Sequence, residues 1–390
     1  MTVSWSDLTG DIAAIADEWR ADRAERHARR ELDPADFARL AEAGFLHVAV
    51  PQDMGGLWRS VAETTRPICD VLRTLAAADA SVALVSAMHP SVLGFWLAQP
   101  NHDGAAWNAQ RDAVCASAAA GHQWGTITSE PGSGGDILRT KAIALPDSEG
   151  ERGESDVPGQ RYRVDGAKHF GSGSGVTSFM ITTAVPQGED APGLFAIDVR
   201  DRPWDGSSGL RLTAAWDGVG MAATQSHAMQ LERCPAIRFA WDGPLQEVSA
   251  AAGPLISNLF TAAILGVLDE AIETAKRQLG PKADSMRAYE QVEWSRAELE
   301  HWLAVQALEG SLRTVESGDR TRSLHAAIRA KEAVAELAEA SLGRMGRVIG
   351  GGTFSRRSPF ASWFEDVRAL GFLRPPWGLA YDNLFATSFG

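Results

Sequence analysis

Apolar positions along this chain change their spacing twice, and the two changes divide it into three stretches. Up to about residue 120 they recur at helical spacing. Residues 12–30 are charged and amphipathic, Asp33-Pro-Ala-Asp36 offers a helix start with proline just inside, and residues 74–97 are alanine-rich and apolar. The period then drops to two. Tyr162 and Val164 alternate ahead of Asp165-Gly166, which reads as a turn, and residues 178–185 and 194–199 read as short strands. Residues 146–160 are polar and glycine-containing, with too little apolar surface to pack, and read as an exposed connection. From about residue 247 the helical period returns, and Leu324, Ile328, Ala335, Ala338, Leu342 and Met345 fall on one face, as in a bundle. No internal repeat is visible. The pattern predicts a mostly helical α+β chain with boundaries at 1–120, 121–246 and 247–390.

Residues 250–268 are apolar and about long enough to span a bilayer. Pro254, Ser257 and Asn258 interrupt them and no basic flank marks a cytoplasmic side, so a buried helix and no membrane association are expected. A chain of 390 residues with 45% hydrophobic content can bury a large core divided among domains. The formal charge of -13 argues against a nucleic-acid surface, which relies on basic patches. Cys69, Cys115 and Cys234 are odd in number and widely spaced, so neither a disulfide framework nor a metal cluster is indicated and a reducing compartment is expected. Residues 1–30 are charged throughout, without the apolar run of a secretory signal. A cytoplasmic location is the expectation.

The richest chemistry lies in residues 124–136, Trp-Gly-Thr-Ile-Thr-Ser-Glu-Pro-Gly-Ser-Gly-Gly-Asp. Thr128 and Ser129 can offer hydroxyl and backbone donors to the edge of a planar ligand such as a flavin. Gly132, Gly134 and Gly135 remove side chains from the contact surface and allow positive φ. Taken alone the segment reads equally well as an ordinary glycine-rich turn. A second glycine run, 171–175, is followed by strand-like residues and opens no helix, so it gives no support for nicotinamide binding.

The loop resembles the Thr-Glu-Pro-Gly-x-Gly-Ser-Asp motif of the acyl-CoA dehydrogenase family, and further blocks resemble that family in its order. Residues 43–56 are similar to its amino-terminal helix end with a Pro and a Gly-Gly turn, and residues 166–174 to the strand behind the flavin. Residues 216–226 are similar to Trp-Asp-x-x-Gly-Met-x-x-Thr-x-Ser, 349–354 to a Gly-Gly turn, and 364–370 to the Arg-Asp-x-Arg helix. The resemblance covers nearly the whole chain. It implies an N-terminal helical domain, a small middle β-barrel and a C-terminal four-helix bundle that commonly builds a homotetramer.

It also implies a flavin site. Ser129 falls where a hydroxyl faces the pyrimidine edge, with Thr128 before it and Gly134 in the loop; Phe170 falls where an aromatic residue lies against the ring, and Gly171 leads to Ser172 beside N5. Lys282 and Gly351 fall where a neighbouring subunit meets the diphosphate and the adenine. FAD is the first choice of flavin and FMN the second. The departures bear on the reaction. Counted from Arg368, the place of the usual catalytic Glu is held by Arg374, and the alternative place, residues 255–258, holds Leu-Ile-Ser-Asn. A guanidinium stays protonated and cannot act as a base; it favours an anionic substrate or negative charge near the ring. Gly135 replaces a Ser, Lys282 replaces an Arg, and the Asp-x-x-Arg pair that helps place CoA is absent from residues 253–258.

Three functions follow from the resemblance. The first is a flavin-dependent oxidoreductase dehydrogenating an acyl thioester or related small substrate, with an electron-transfer flavoprotein as acceptor. The second is a two-component monooxygenase that takes reduced flavin from a reductase and uses oxygen, for which His89, in Ala-Met-His-Pro at a helix bend, is a catalytic candidate beside Arg374. The third is a catalytically silent flavin-binding or scaffold subunit.

Overall fold

A computed structural model describes residues 3–99, 102, 104–147 and 156–388. The first helical layer comprises α1 (Trp5–Ala21), α2 (Arg23–Ala28), α3 (Pro34–Glu42), α4 (Val61–Ala78), α5 (Ala80–Leu97) and α6 (Ala105–Ala119). Asp33 caps α3 as its sequence predicts, accepting from the Ala35 N–H at 2.9 Å with Pro34 in the first turn. The apolar run 74–97 differs from expectation because it is cut at Asp79. That residue leaves helical geometry, accepts from the Val82 N–H at 3.0 Å to start α5, and also accepts from the Arg26 Nε at 2.8 Å. Arg26 reaches Asp36 with its other nitrogens, so one buried guanidinium ties α2 to α3 and to the α4–α5 junction.

The strands β1 (Trp124–Thr126), β2 (Ile143–Pro146), β3 (Arg161–Gly171), β4 (Phe179–Pro186), β5 (Gly193–Asp198), β6 (Leu210–Ala214) and β7 (His227–Arg238) form one seven-stranded sheet. It closes on itself, because β4 pairs with both β2 and β5 while β3 and β7 complete the circuit. Closure leaves a small barrel with its own core, including Tyr162, Val164, Phe195, Ile197 and Leu231. Asp165-Gly166 is not a turn. β3 runs through it with a bulge, and the Asp165 carboxylate accepts from the Arg233 N–H at 2.7 Å, so the local turn signal is spent on the partner strand. Most of the predicted connection 146–160 lies outside the described residues, although Val157 is buried in the main core.

The C-terminal layer is α7 (Leu245–Leu279), α8 (Ala288–Glu316), α9 (Arg320–Ile349), α10 (Phe360–Gly371) and α11 (Trp377–Ala386). α5 and α7 are each long and apolar enough to cross a membrane, and both are largely buried within the fold. α7 packs so close to α4 that a Cβ on Gly266 would meet the Arg73 carbonyl at 2.2 Å. On α9, Ile328, Ala338, Leu342 and Met345 are buried as their spacing predicts, while Leu324 and Ala335 are only partly covered.

Asp366 of α10 joins bundle to barrel: its Oδ1 accepts from the Met221 N–H at 2.7 Å. Burial pushes this carboxyl up to about 7, with Asp79 and Glu365 adding to the rise. A carboxyl raised in the folded state gives stability that is complete below the unfolded value of 3.8 and lost as pH climbs through 7. Asp366→Asn keeps the acceptor and removes the titration. The stability of the natural chain relative to this variant should fall by up to roughly 4 kcal/mol between about pH 4 and pH 8, measured by urea unfolding.

Candidate functional site

The loop that follows β1 is held by a buried ion pair. Lys168 of β3 is fully buried, with its Nζ on the Glu130 carboxylate and donating to the Thr183 carbonyl at 2.6 Å. Glu130 Oε2 also accepts from the Lys141 N–H at 2.6 Å. Burial lowers the Lys168 ammonium from its ordinary value; burial would raise Glu130, but hydrogen bonds from Lys168, Thr140 and Lys141 hold it below the usual carboxylate range. Between Glu130 and Asp136 the chain turns through positive φ at Gly132, Gly134 and Gly135, and Ser133 Oγ accepts from the Gly135 N–H at 3.1 Å. The pattern of β3 carries a signal for Lys168. It has the parity of Tyr162 and Val164, which point into the barrel, and a lysine there requires an acid inside.

Just beyond Lys168 the strand bulges. Ser129 pairs with His169, whose N–H donates to the Ser129 carbonyl at 2.8 Å, so the loop lies beside Phe170. Phe170 has φ 56 and is 52% exposed, so its ring is presented outward, not packed in the barrel. Its edge meets Trp216 at a centroid distance of 6.0 Å. Gly171 leaves no room for a Cβ, which would lie 2.9 Å from Ile127 Cδ1. Ser172 Oγ lies 2.8 Å from Ser226 Oγ, which is 2.7 Å from Thr224 Oγ1, and Thr224 donates to the Met221 carbonyl at 2.9 Å. The structure thus brings Thr128, Ser129, Phe170, Gly171 and Ser172 to one end of the barrel. An outward aromatic face, hydroxyls and glycine-bared backbone suit a flat heteroaromatic ring, so these residues fit a flavin.

The segment 374–376 closes one side of this region. A Cβ on Gly135 would stand 2.5 Å from Pro376 Cγ, and Arg374 Nη2 donates to Thr126 Oγ1 at 2.6 Å. Between this segment, the Gly135 loop, α7 and α9 lies a cavity of about 330 Å³, lined mainly by apolar side chains such as Phe95, Leu138, Ile256 and Ile328. Among the described residues lining it, Asp136 is the only acid, and its Oδ1 already accepts from the Leu138 N–H at 2.9 Å.

His89 is placed differently. It is fully buried, its Nε2 bonded to the Leu46 carbonyl at 3.0 Å and its Nδ1 accepting from the Trp124 N–H at 3.2 Å, and burial draws it down to about 4. The geometry gives this ring a tie between α5, the turn Phe45–Ala49 and β1 instead of a free nitrogen for proton transfer. Lys282 is exposed on the turn after α7. Gly351 lines a separate, open cavity of about 860 Å³ together with Val219 and Ala223.

Residues 8–100 match the family model for the acyl-CoA dehydrogenase N-terminal domain. FMN-bound TdsC from Paenibacillus sp. A11-2 superimposes with a TM-score of 0.78 at 17% identity, covering 97% of this chain and 96% of that one. The chain has the acyl-CoA dehydrogenase fold. Among curated relatives, the dibenzothiophene monooxygenase of Mycolicibacterium goodii is 25% identical over 294 residues, 70% of this chain. The match spans 64% of that relative's own length. The amino sugar nitrososynthase of Streptomyces peucetius is 24% identical over 360 residues, 87% of this chain and 82% of the relative.

Within the acyl-CoA dehydrogenase fold, the Lys168–Glu130 pair should set the loop. Lys168→Met leaves a buried carboxylate unpaired and should cost about 3–5 kcal/mol in urea unfolding. Adding Glu130→Gln, which still accepts from Lys141, should recover a large part of that loss. Equal losses in the single and double variants would mean that the pair is not the anchor.

Proposed function

We propose that this protein is a flavin-dependent monooxygenase of the two-component kind, using FMN reduced by a separate reductase. The observation that carries this reading is Arg374 on the wall of the apolar cavity, at the position where the resemblance to acyl-CoA dehydrogenases would put a carboxylate base. Among the described lining residues the only acid is Asp136, and one of its two oxygens accepts from the Leu138 N–H. The names of the relatives, a monooxygenase and a nitrososynthase, support it, and the flavin-bearing neighbour holds FMN. Acyl-thioester dehydrogenation, the first expectation from the sequence, gives way to this reading.

Reduced flavin, when bound, supplies the electrons with which oxygen is activated and one of its atoms passed to a substrate. The chain's own part is positioning. Thr128 and Ser129 would hold the polar edge of a bound flavin and Phe170 would lie against it, while the Ser172 hydroxyl can turn between donor and acceptor because Ser226 and Thr224 can reorient with it. The largely apolar lining of the cavity beside Arg374 would keep water from a substrate seated there. FMN ends at its first phosphate, so the adenine contact expected of Gly351 is not required and the exchange of Arg for Lys282 loses less.

The full chain should therefore bind FMN, read by calorimetry, and reoxidise reductase-supplied flavin with oxygen. Short, medium and branched acyl-CoAs with an artificial acceptor should leave its flavin oxidised. Rapid bleaching by any of them, unchanged in Arg374→Ala, would overturn the reading in favour of a dehydrogenase, and an absence of flavin binding would favour the silent scaffold.

Assembly as a homotetramer is part of the same reading. Tyr289, Val292, Leu299 and Trp302 are exposed at spacings of three and seven along α8, an apolar stripe on one helix face. Light scattering at micromolar concentration should give a tetramer, which Trp302→Glu should weaken; a monomer with FMN present would refute it.

A further inference from the structure

Among the described residues, Arg374 is a cation without a counter-ion. Its guanidinium carries five donors, and among the described residues its hydrogen bond goes to the Thr126 hydroxyl, with no acidic side chain within ion-pair distance. Burial alone draws it down to about 10, with no charged neighbour contributing. The elements facing it supply no compensation. β1 offers Thr126, α7 offers Ser249 and Ser257, α9 offers Leu324 and Ile328, and the loop offers Asp136, whose carboxylate caps Leu138. Ser249 Oγ, also on the cavity wall, is buried without a hydrogen-bond partner among the described residues. By contrast, the buried guanidinium of Arg26 meets both Asp36 and Asp79.

A partly buried cation with unused donors beside an apolar cavity is stabilised when an incoming group brings the missing charge. We propose that the cavity takes a small substrate with an apolar body and one acid group, a carboxylate or sulfonate, seated on Arg374. This rests on the monooxygenase reading for what happens to the substrate, and stands on Arg374 for what the substrate is. The cavity volume of about 330 Å³ suits a body of branched-chain or single-ring size. The acid end faces the guanidinium; the apolar end lies between α7 and α9. A planar fork can hold two oxygens of the acid at once, which a neutral amide cannot match.

The test compares acids with their neutral isosteres on the FMN-loaded full chain: benzoate with benzamide, 2-methylbutyrate with its amide, and benzenesulfonate with benzenesulfonamide, each by calorimetry. The acid should bind roughly 10- to 100-fold tighter than its amide. Arg374→Met should abolish that preference and Arg374→Lys should keep part of it, with FMN affinity measured alongside. Equal affinity of acid and amide for the natural chain overturns the proposal, as does binding of neither, or a preference that survives Arg374→Met. If Arg374→Met does not fold, the natural chain and Arg374→Lys still decide. The carboxylate and sulfonate arms distinguish the two acid classes. Should FMN itself fail to bind, the monooxygenase reading falls, while acid preference remains measurable on the flavin-free chain.

Discussion

The arrangement at the barrel end depends on one buried charge pair. Lys168 and Glu130 belong to different segments, a strand and a loop, and neither could be buried alone without a large desolvation cost. Together they allow one geometry. Glu130 also accepts from Lys141 and Lys168 donates to Thr183, so the pair gathers the loop, the start of β2 and the edge of β4. Once Lys168 is fixed inside the barrel, the bulge that follows must carry His169 and Phe170 outward, next to Ser129. The left-handed φ of Phe170 is a strain of about 1–2 kcal/mol held by those neighbours. An interior contact thus sets the shape of an exterior surface.

The helical layers supply the wall that the barrel lacks. α7 is buried along most of its length because α4, α5 and α9 cover it, and Gly266 lets α4 approach its backbone. That packing fixes where Ile256 and Ser257 face the cavity, while Asp366 pins α10 to the Met221 turn. The turn is the same one that receives the Thr224 hydroxyl in the chain leading to Ser172. Bundle and site are therefore coupled through two hydrogen bonds to a single residue.

What the sequence made legible was whatever is decided within a few residues. Asp33 and Pro34 start a helix, α9 shows its buried face by spacing, and the glycines of 132–135 announce a turn with positive φ. Signals spent on distant partners misled. Asp165-Gly166 has turn chemistry, yet its carboxylate serves Arg233 across the sheet, and Asp79 breaks an apolar run because Arg26 is there to pair with it. His89 before proline shows the same limit, since only folding reveals that both of its nitrogens are taken by Leu46 and Trp124. Lys168 was readable in principle from strand parity, but its partner was not.

The departures from the acyl-CoA dehydrogenase pattern are physically linked. Gly135 replaces a residue with a side chain, and the space that side chain would enter is filled by Pro376, two residues after Arg374. A serine at 135 would therefore crowd the proline segment, and a glutamate at 374 would stand in a cavity where, among the described lining residues, no other cation pairs with it. Neither change makes a dehydrogenase site alone. Gly135, Pro376 and Arg374 therefore share one piece of packing, so that a change at one of them is felt at the others. A shared packing unit of this kind supports the proposed change of chemistry, which Arg374 carries.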